Sequence, residues 1–147
     1  MTLNVYAARI SVRDPDRLDI TRRSAMGDGL AFAPSWAILN PALSMRDVSN
    51  NLAAVTEWQC PDDDTRDMLH ATAGRIAVAM WALYSPADGE EMRQSYRRDR
   101  GPWDRLIARE RVCLACYCTD AEHCHRRILG AEILPRQGAV WCGEVSP

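Results

Sequence analysis

A chain of 147 residues, 47% hydrophobic and 26% charged, has the size and composition of one folded domain whose core needs no covalent staple. The formal net charge of −2 supplies no basic field toward nucleic acid; all eighteen basic residues are arginine, so every cationic contact uses a planar, forked guanidinium. No run approaches the roughly 18 apolar residues of a membrane span, and the opening MTLNVYAARI lacks a signal-peptide core. The expected address is the cytoplasm, away from any membrane, with the six cysteines reduced or bound to metal.

In chain order, Leu3 to Ile10 has the β-branched and aromatic content of a strand, and Leu18 to Thr21 reads as a second, shorter one. A glycine-bearing, irregular stretch follows, and Pro34 is placed to open a short helix. Asp62, Asp63, Asp64 and Thr65 supply caps and acidic charge for a helix start. Beyond them Leu69, Thr72, Ile76, Met80 and Leu83 recur at helical spacing as a buried stripe. Pro86 and Gly89 are expected to interrupt that helix, with a second from about Glu90 to Arg100 and a third, after Gly101-Pro102, carrying Trp103, Leu106 and Ile107. The five tryptophans, Trp36, Trp58, Trp81, Trp103 and Trp141, are expected to be buried anchors.

Arg111 to Tyr117, short and almost continuously apolar, is the best central strand. His125 to Leu134 reads as a helix ended by Pro135, and Ala139 to Val145 as a final strand. Strand, helix and strand in that order imply a right-handed parallel crossover. The expected architecture is a single α/β domain over residues 1–147: a small three-layer, Rossmann-like, mostly parallel sheet with a helical insertion.

The segment Cys116-Tyr117-Cys118-Thr119-Asp120-Ala121-Glu122-His123-Cys124-His125-Arg126-Arg127 begins at the C-terminal end of that strand and runs into a helix. Open α/β sheets place their binding crevices there, and a first helical turn favours an anion or thiolate. Three readings stand side by side. Cys124 or Cys118 is a nucleophilic or redox thiol activated by the helix end and Arg126, with His125 or His123 as acid/base. Alternatively Cys116, Cys118, Cys124 and a histidine such as His125 bind zinc tetrahedrally. In the third, the cysteines are small core hydrophobes and the histidine and arginine cap the loop. At the end of the second strand, Asp19 and Arg22 read as an acid/base or ribose contact and a phosphate clamp, or as a local pair ordering the loop.

LACYCTDAEHCHRRILGAEIL resembles the C-terminal signature of domain of unknown function (DUF) family 488, a strand followed by Cys-x-Glu-x-Asp-x-Glu-x-Cys-His-Arg and a helix. Cys116, Asp120, Glu122, Cys124, His125 and Arg126 match, while Cys118 stands where the family usually has glutamate. Asp19-Ile20-Thr21-Arg22 and Pro34-Ser35-Trp36 resemble its Asp-Val-Arg and Pro-x-Ser elements, and residues 90–103 resemble a helix carrying Met and Tyr, here Met92 and Tyr96. The resemblance implies a small Rossmann-like fold and no settled reaction; it adds Ser35 and Tyr96 to the substrate-binding candidates.

The expectation is an enzyme, active or degenerate, on a small anionic substrate such as a nucleotide or nucleoside. Arg22 and Arg126 would hold the anion, Cys124 and His125 would react, and Asp19 would orient or deprotonate. The competing expectation is a zinc-stabilised binding or regulatory protein without turnover. A nucleic-acid partner would require the arginines to gather on one face.

Overall fold

The computed structural model describes residues 1–146, and of Trp58 the backbone alone. The chain forms two compact units, one of residues 1–35 and 88–147 and the other of residues 36–87. The first holds every strand: β1 (Asn4–Arg9), β2 (Arg17–Asp19), β3 (Arg111–Cys116) and β4 (Val140–Glu144), in the order β2-β3-β1-β4 and all parallel. Continuous apolar burial along β3, complete from Val112 to Cys116, is what an interior parallel strand requires. Along β1 and β3, Val5, Ala7, Val112 and Leu114 turn to the main core, where they meet Phe32, Met92, Trp103, Leu106, Leu129 and Leu134. The chain leaves β1 toward β2 and leaves β3 across β1 to β4, so neighbouring strands send their connections in opposite directions. That reversal at the strands' C-terminal ends is where a parallel sheet opens a crevice. The mixed α/β, Rossmann-like class expected from the sequence is what forms, and the helical insertion is the second unit.

The helices depart from expectation in length. Pro34 precedes not a short helix but α1 (Trp36–Trp58), 23 residues long and containing Pro41. The helix after the acidic cap, α2 (Asp63–Arg98), runs unbroken for 36 residues through Pro86 and Gly89. The carbonyl that Pro86 deprives of a donor is that of Ala82, an exposed residue, so water can satisfy it. Gly101-Pro102 sits inside the first turn of α3 (Arg100–Ile107), where proline's missing N–H costs nothing, and Asp99 caps the helix by accepting from Gly101 N at 3.1 Å. α4 (His125–Arg127) lasts three residues before passing into a π-helical turn over Ile128–Ile133 and a 3-10 turn over Leu134–Gln137, with Pro135 within the latter rather than ending a regular helix. Gly130 lies against Trp141; a Cβ there would stand 2.5 Å from the indole ring, which fixes this irregular segment onto β4. Trp103 is the fully buried anchor expected, edge-on to Phe32 at 4.9 Å, whereas Trp36 is 47% exposed and the side chain of Trp58 lies outside the described residues.

In the second unit the insertion is an antiparallel helical hairpin. Thr56 bonds His70 (Oγ1–Nε2, 2.8 Å) and Ser49 Oγ donates to the Ala73 carbonyl at 2.9 Å. The expected stripe is half-buried at Leu69, Thr72, Ile76 and Met80, but Leu83 is 67% exposed and Tyr84 takes the buried place. No helix among the described residues is long and apolar enough to cross a membrane.

Candidate thiol site at the end of the sheet

β3 delivers Cys116 to the C-terminal edge of the sheet, and the loop that follows folds Cys118 and Cys124 back onto it. The three sulfurs lie within 4.8 Å of one another, with Cys116 Sγ and Cys124 Sγ 2.9 Å apart. Asp120 shapes the loop, accepting from the backbone of Glu122 at 3.0 Å and of His123 at 3.2 Å, the Asx geometry that suits an aspartate there. Burial works against the Asp120 carboxylate, but its bonds from His123 prevail and lower its pKa.

Arg126 is 1% exposed and turned onto the sulfurs. Its Nη1 donates to Cys116 Sγ at 3.2 Å, to Cys124 Sγ at 3.6 Å and to the Cys118 carbonyl at 2.9 Å, while Nε donates to Glu144 at 2.9 Å. Bonds from Cys118 and Cys124 hold the Cys116 thiol far below its ordinary range against the pull of burial, and Arg126 adds to them. Cys124 moves the other way, pushed up by its bonds to Cys116 and Cys118 and by burial. The pair beside Arg126 thus favours a single anion shared across the 2.9 Å S···S contact, although the sequence nominates Cys124 as the nucleophile. Cys113, on the same strand, is pushed up to about 11, chiefly by burial.

His125 follows Cys124 but turns elsewhere. Nδ1 meets Asp88 Oδ2 at 2.6 Å and Nε2 meets the Phe32 carbonyl, so neither nitrogen reaches the sulfurs as a metal ligand or acid/base. Burial disfavours the imidazolium, yet the buried Asp88 carboxylate and the Phe32 carbonyl outweigh it and raise the pKa. Since a carbonyl only accepts, Nε2 donates to Phe32, and the raised pKa favours the imidazolium, in which Nδ1 also donates to Asp88. The three-residue α4 also leaves little macrodipole for Cys124, its N-cap, which makes no side-chain cap bond.

At the end of β2, in register with Ala115, Asp19 is occupied by the loop it starts: it accepts from Thr21 N at 2.9 Å, Thr21 Oγ1 at 2.7 Å and Ser24 Oγ at 2.6 Å. Tyr117 OH donates to Ser24 Oγ at 2.9 Å, which joins this hydroxyl cluster to the thiol loop. Arg22 spends its donors on the carbonyls of Pro34 (2.9 Å) and Ala33 (2.7 Å), so it ties down the segment that His125 also holds instead of presenting a phosphate clamp. Ser35 is engaged through N and Oγ by Glu91, and Tyr96 by Gln137 at 3.2 Å and by the Trp103 ring at 5.4 Å; neither joins the cysteines. The proposed anion contacts Arg22 and Arg126 are therefore internal.

Sequence reasoning missed four residues. Asp88 and Glu144, the partners of His125 and Arg126, are distant in sequence and carry no local signal. Tyr117 was visible inside the motif as a hydroxyl beside the cysteines. Arg9 is paired in register with Cys116 on the neighbouring strand and on the same face by the two-residue period; it is exposed and makes no ion pair or hydrogen bond among the described residues.

Fold and site define a small α/β protein with an all-parallel sheet and a thiol cluster at the sheet's C-terminal end. Residues 61–138 match the model of the active DUF488-N3 subclade, so the chain belongs to the DUF488 family. The match includes the whole cysteine loop; the Asp19 and Arg22 elements precede it. No curated protein and no solved structure matches the chain.

Proposed function

We propose that this protein is a thiol-dependent enzyme acting on a small anionic, nucleotide- or nucleoside-like substrate. The observation that carries the reading is the buried Arg126 guanidinium donating to both Cys116 and Cys124 sulfurs, because a cation enclosed against sulfur stabilises a thiolate far more than a thiol. The Cys116 thiolate forms a bond to an electrophilic substrate atom as that atom's bond to its leaving group breaks, Cys124 gives the leaving group its proton, and water then hydrolyses the adduct, its protons restoring Cys124 and leaving the product with the hydroxyl. Arg9 offers the uncommitted cation for the anionic part, and Ser24 and Tyr117 around Asp19 offer the hydroxyl array that a sugar can bond. The subclade's description as active agrees with this reading.

A second reading, a zinc-stabilised binding or regulatory protein without turnover, is favoured by the three sulfurs within 4.8 Å. Ideal tetrahedral Zn–S bonds of about 2.3 Å set sulfurs roughly 3.8 Å apart, so Cys116, Cys118 and Cys124 fit with small shifts. Three thiolates around a dication leave one negative charge, which Arg126 would balance. His125 is committed elsewhere, so the cluster supplies three ligands and leaves the fourth position for water or substrate.

The test combines metal analysis of the purified protein, iodoacetamide labelling between pH 5 and 9, and calorimetry with nucleoside monophosphates. The enzyme reading expects little metal, a thiol reactive at pH 6 that Cys116→Ser abolishes, and binding weakened about tenfold or more by Arg9→Ala. About one zinc per chain, with unfolding on chelation, would select the second reading instead. Metal-free protein with no thiol reactive below pH 8 and no nucleotide bound would overturn the first.

A further inference from the structure

Cys116 ends β3 and Cys124 immediately precedes α4, so the loop of residues 117–123 returns one sulfur onto the other. They meet at 2.9 Å. A disulfide holds its sulfurs about 2.05 Å apart, so a side-chain shift of roughly 0.9 Å would bond them. Cys124 makes no side-chain cap bond at the head of α4, so its sulfur can turn without loosening the helix.

The surroundings suit both the reduced and the bonded pair. Arg126 Nη1 donates to both sulfurs, which favours the thiolate that attacks an oxidant. In the disulfide that negative charge is gone, yet Arg126 keeps its bonds to the Cys118 carbonyl and to Glu144, so no buried cation is left unpaired. Cys116 is 5% and Cys124 1% exposed, so the oxidant that reaches them with least movement of the loop is one little larger than water. Hydrogen peroxide has that size.

We infer that Cys116 and Cys124 are a reversible oxidation site, which a small hydroperoxide closes to a disulfide and an external dithiol reopens. The inference rests on the thiol reading of the site and adds its regulation, because a sulfur held in a disulfide is no longer a nucleophile. One sulfur attacks a peroxide oxygen, the O–O bond breaks, and the departing oxygen takes that thiol's proton, which leaves a sulfenic acid. The second sulfur attacks the sulfenic sulfur, the S–O bond breaks, and the oxygen leaves as water with the second thiol's proton. Two electrons pass from the sulfurs to the peroxide, so two thiols and one hydrogen peroxide give one disulfide and two waters. The dithiol returns the electrons by exchange through a mixed disulfide and is itself oxidised. Because the second thiol already touches the first, the sulfenic acid meets it before another peroxide arrives, and oxidation stops short of the sulfinic acid.

The experiment exposes the reduced, desalted full chain to equimolar and to excess hydrogen peroxide. Thiols are then counted in denaturant, and linkages are mapped by mass spectrometry after alkylation and digestion. The inference expects two of the six thiols lost, a chain lighter by two hydrogens and a Cys116–Cys124 cross-link, all reversed by dithiothreitol. Iodoacetamide labelling of the oxidised protein should fall about tenfold or more. Cys118→Ser is expected to form the same cross-link; if that variant fails to fold, the wild-type map decides. A linkage through Cys118, oxidation that runs on to sulfinic acid, or six thiols surviving excess peroxide overturns the inference. The two failures separate: a cross-link in protein that binds no nucleotide sinks the enzyme reading alone. Nucleotide binding and thiol labelling that persist in peroxide-treated protein without the cross-link sink this inference alone.

Discussion

At His125 two bonds favour the charged form. Its Nε2 donates to the Phe32 carbonyl and its Nδ1 to Asp88, which is fully buried and whose Oδ1 has no protein partner among the described residues. The pKa is raised above the ordinary 6.5, so the imidazolium contributes its full stabilisation below that pH and loses it as pH rises through the folded-state value. The urea midpoint is therefore expected to fall from pH 6 toward pH 9, and Asp88→Asn to flatten that slope. His125→Ala strands the buried carboxylate and should lower stability by roughly 3–5 kcal/mol, the cost of breaking one half of a buried ion pair. A midpoint that climbs with pH across this range would contradict the assignment. The motif showed His125 and Arg126 but not their partners: Asp88 lies 37 residues before one, and Glu144 lies 18 after the other. Which neighbour a buried charge meets depends on distant segments converging, and no spacing in the sequence encodes it.

Among the elements, strands were more legible than helices. A buried parallel strand advertises itself by unbroken apolar content, and Arg111 to Cys116 does so. Helix ends are set by local breakers only when packing does not outweigh them. Pro86 shows the limit: its cost is the missing bond to Ala82 and a steric clash, and the residues on either side still gain from continuing α2 into the first unit, where Asp88, Met92 and Ser95 are buried. Pro86→Ala restores the donor at an exposed site and is expected to raise stability by about 1–3 kcal/mol, read as a higher urea midpoint at unchanged slope. A lower midpoint would mean that the proline makes favourable contacts of its own. The run from His125 to Gln137 is the converse case, helical in pattern but split into α, π and 3-10 pieces, with Gly130 packed closely against Trp141.

For the whole molecule, only Thr56, Ala73 and Tyr84 of residues 36–87 are buried among the described residues, so this hairpin is expected to exchange its amide hydrogens faster than the strands of the other unit, and equal protection in both would contradict that. The amino-acid sequence by itself determined the α/β class, the central strand, the helical insertion and the loop that holds the thiols, because apolar periodicity and motif spacing are local properties of the chain. Only the tertiary structure decided that Cys116 and Cys124 meet beside Arg126, that His125 faces Asp88 and not the sulfurs, that Arg22 and Arg126 are engaged internally, and that Arg9 stands beside Cys116. Those outcomes follow from separate segments converging: strand register sets Arg9 beside Cys116, and the long helix α2 brings Asp88 to His125.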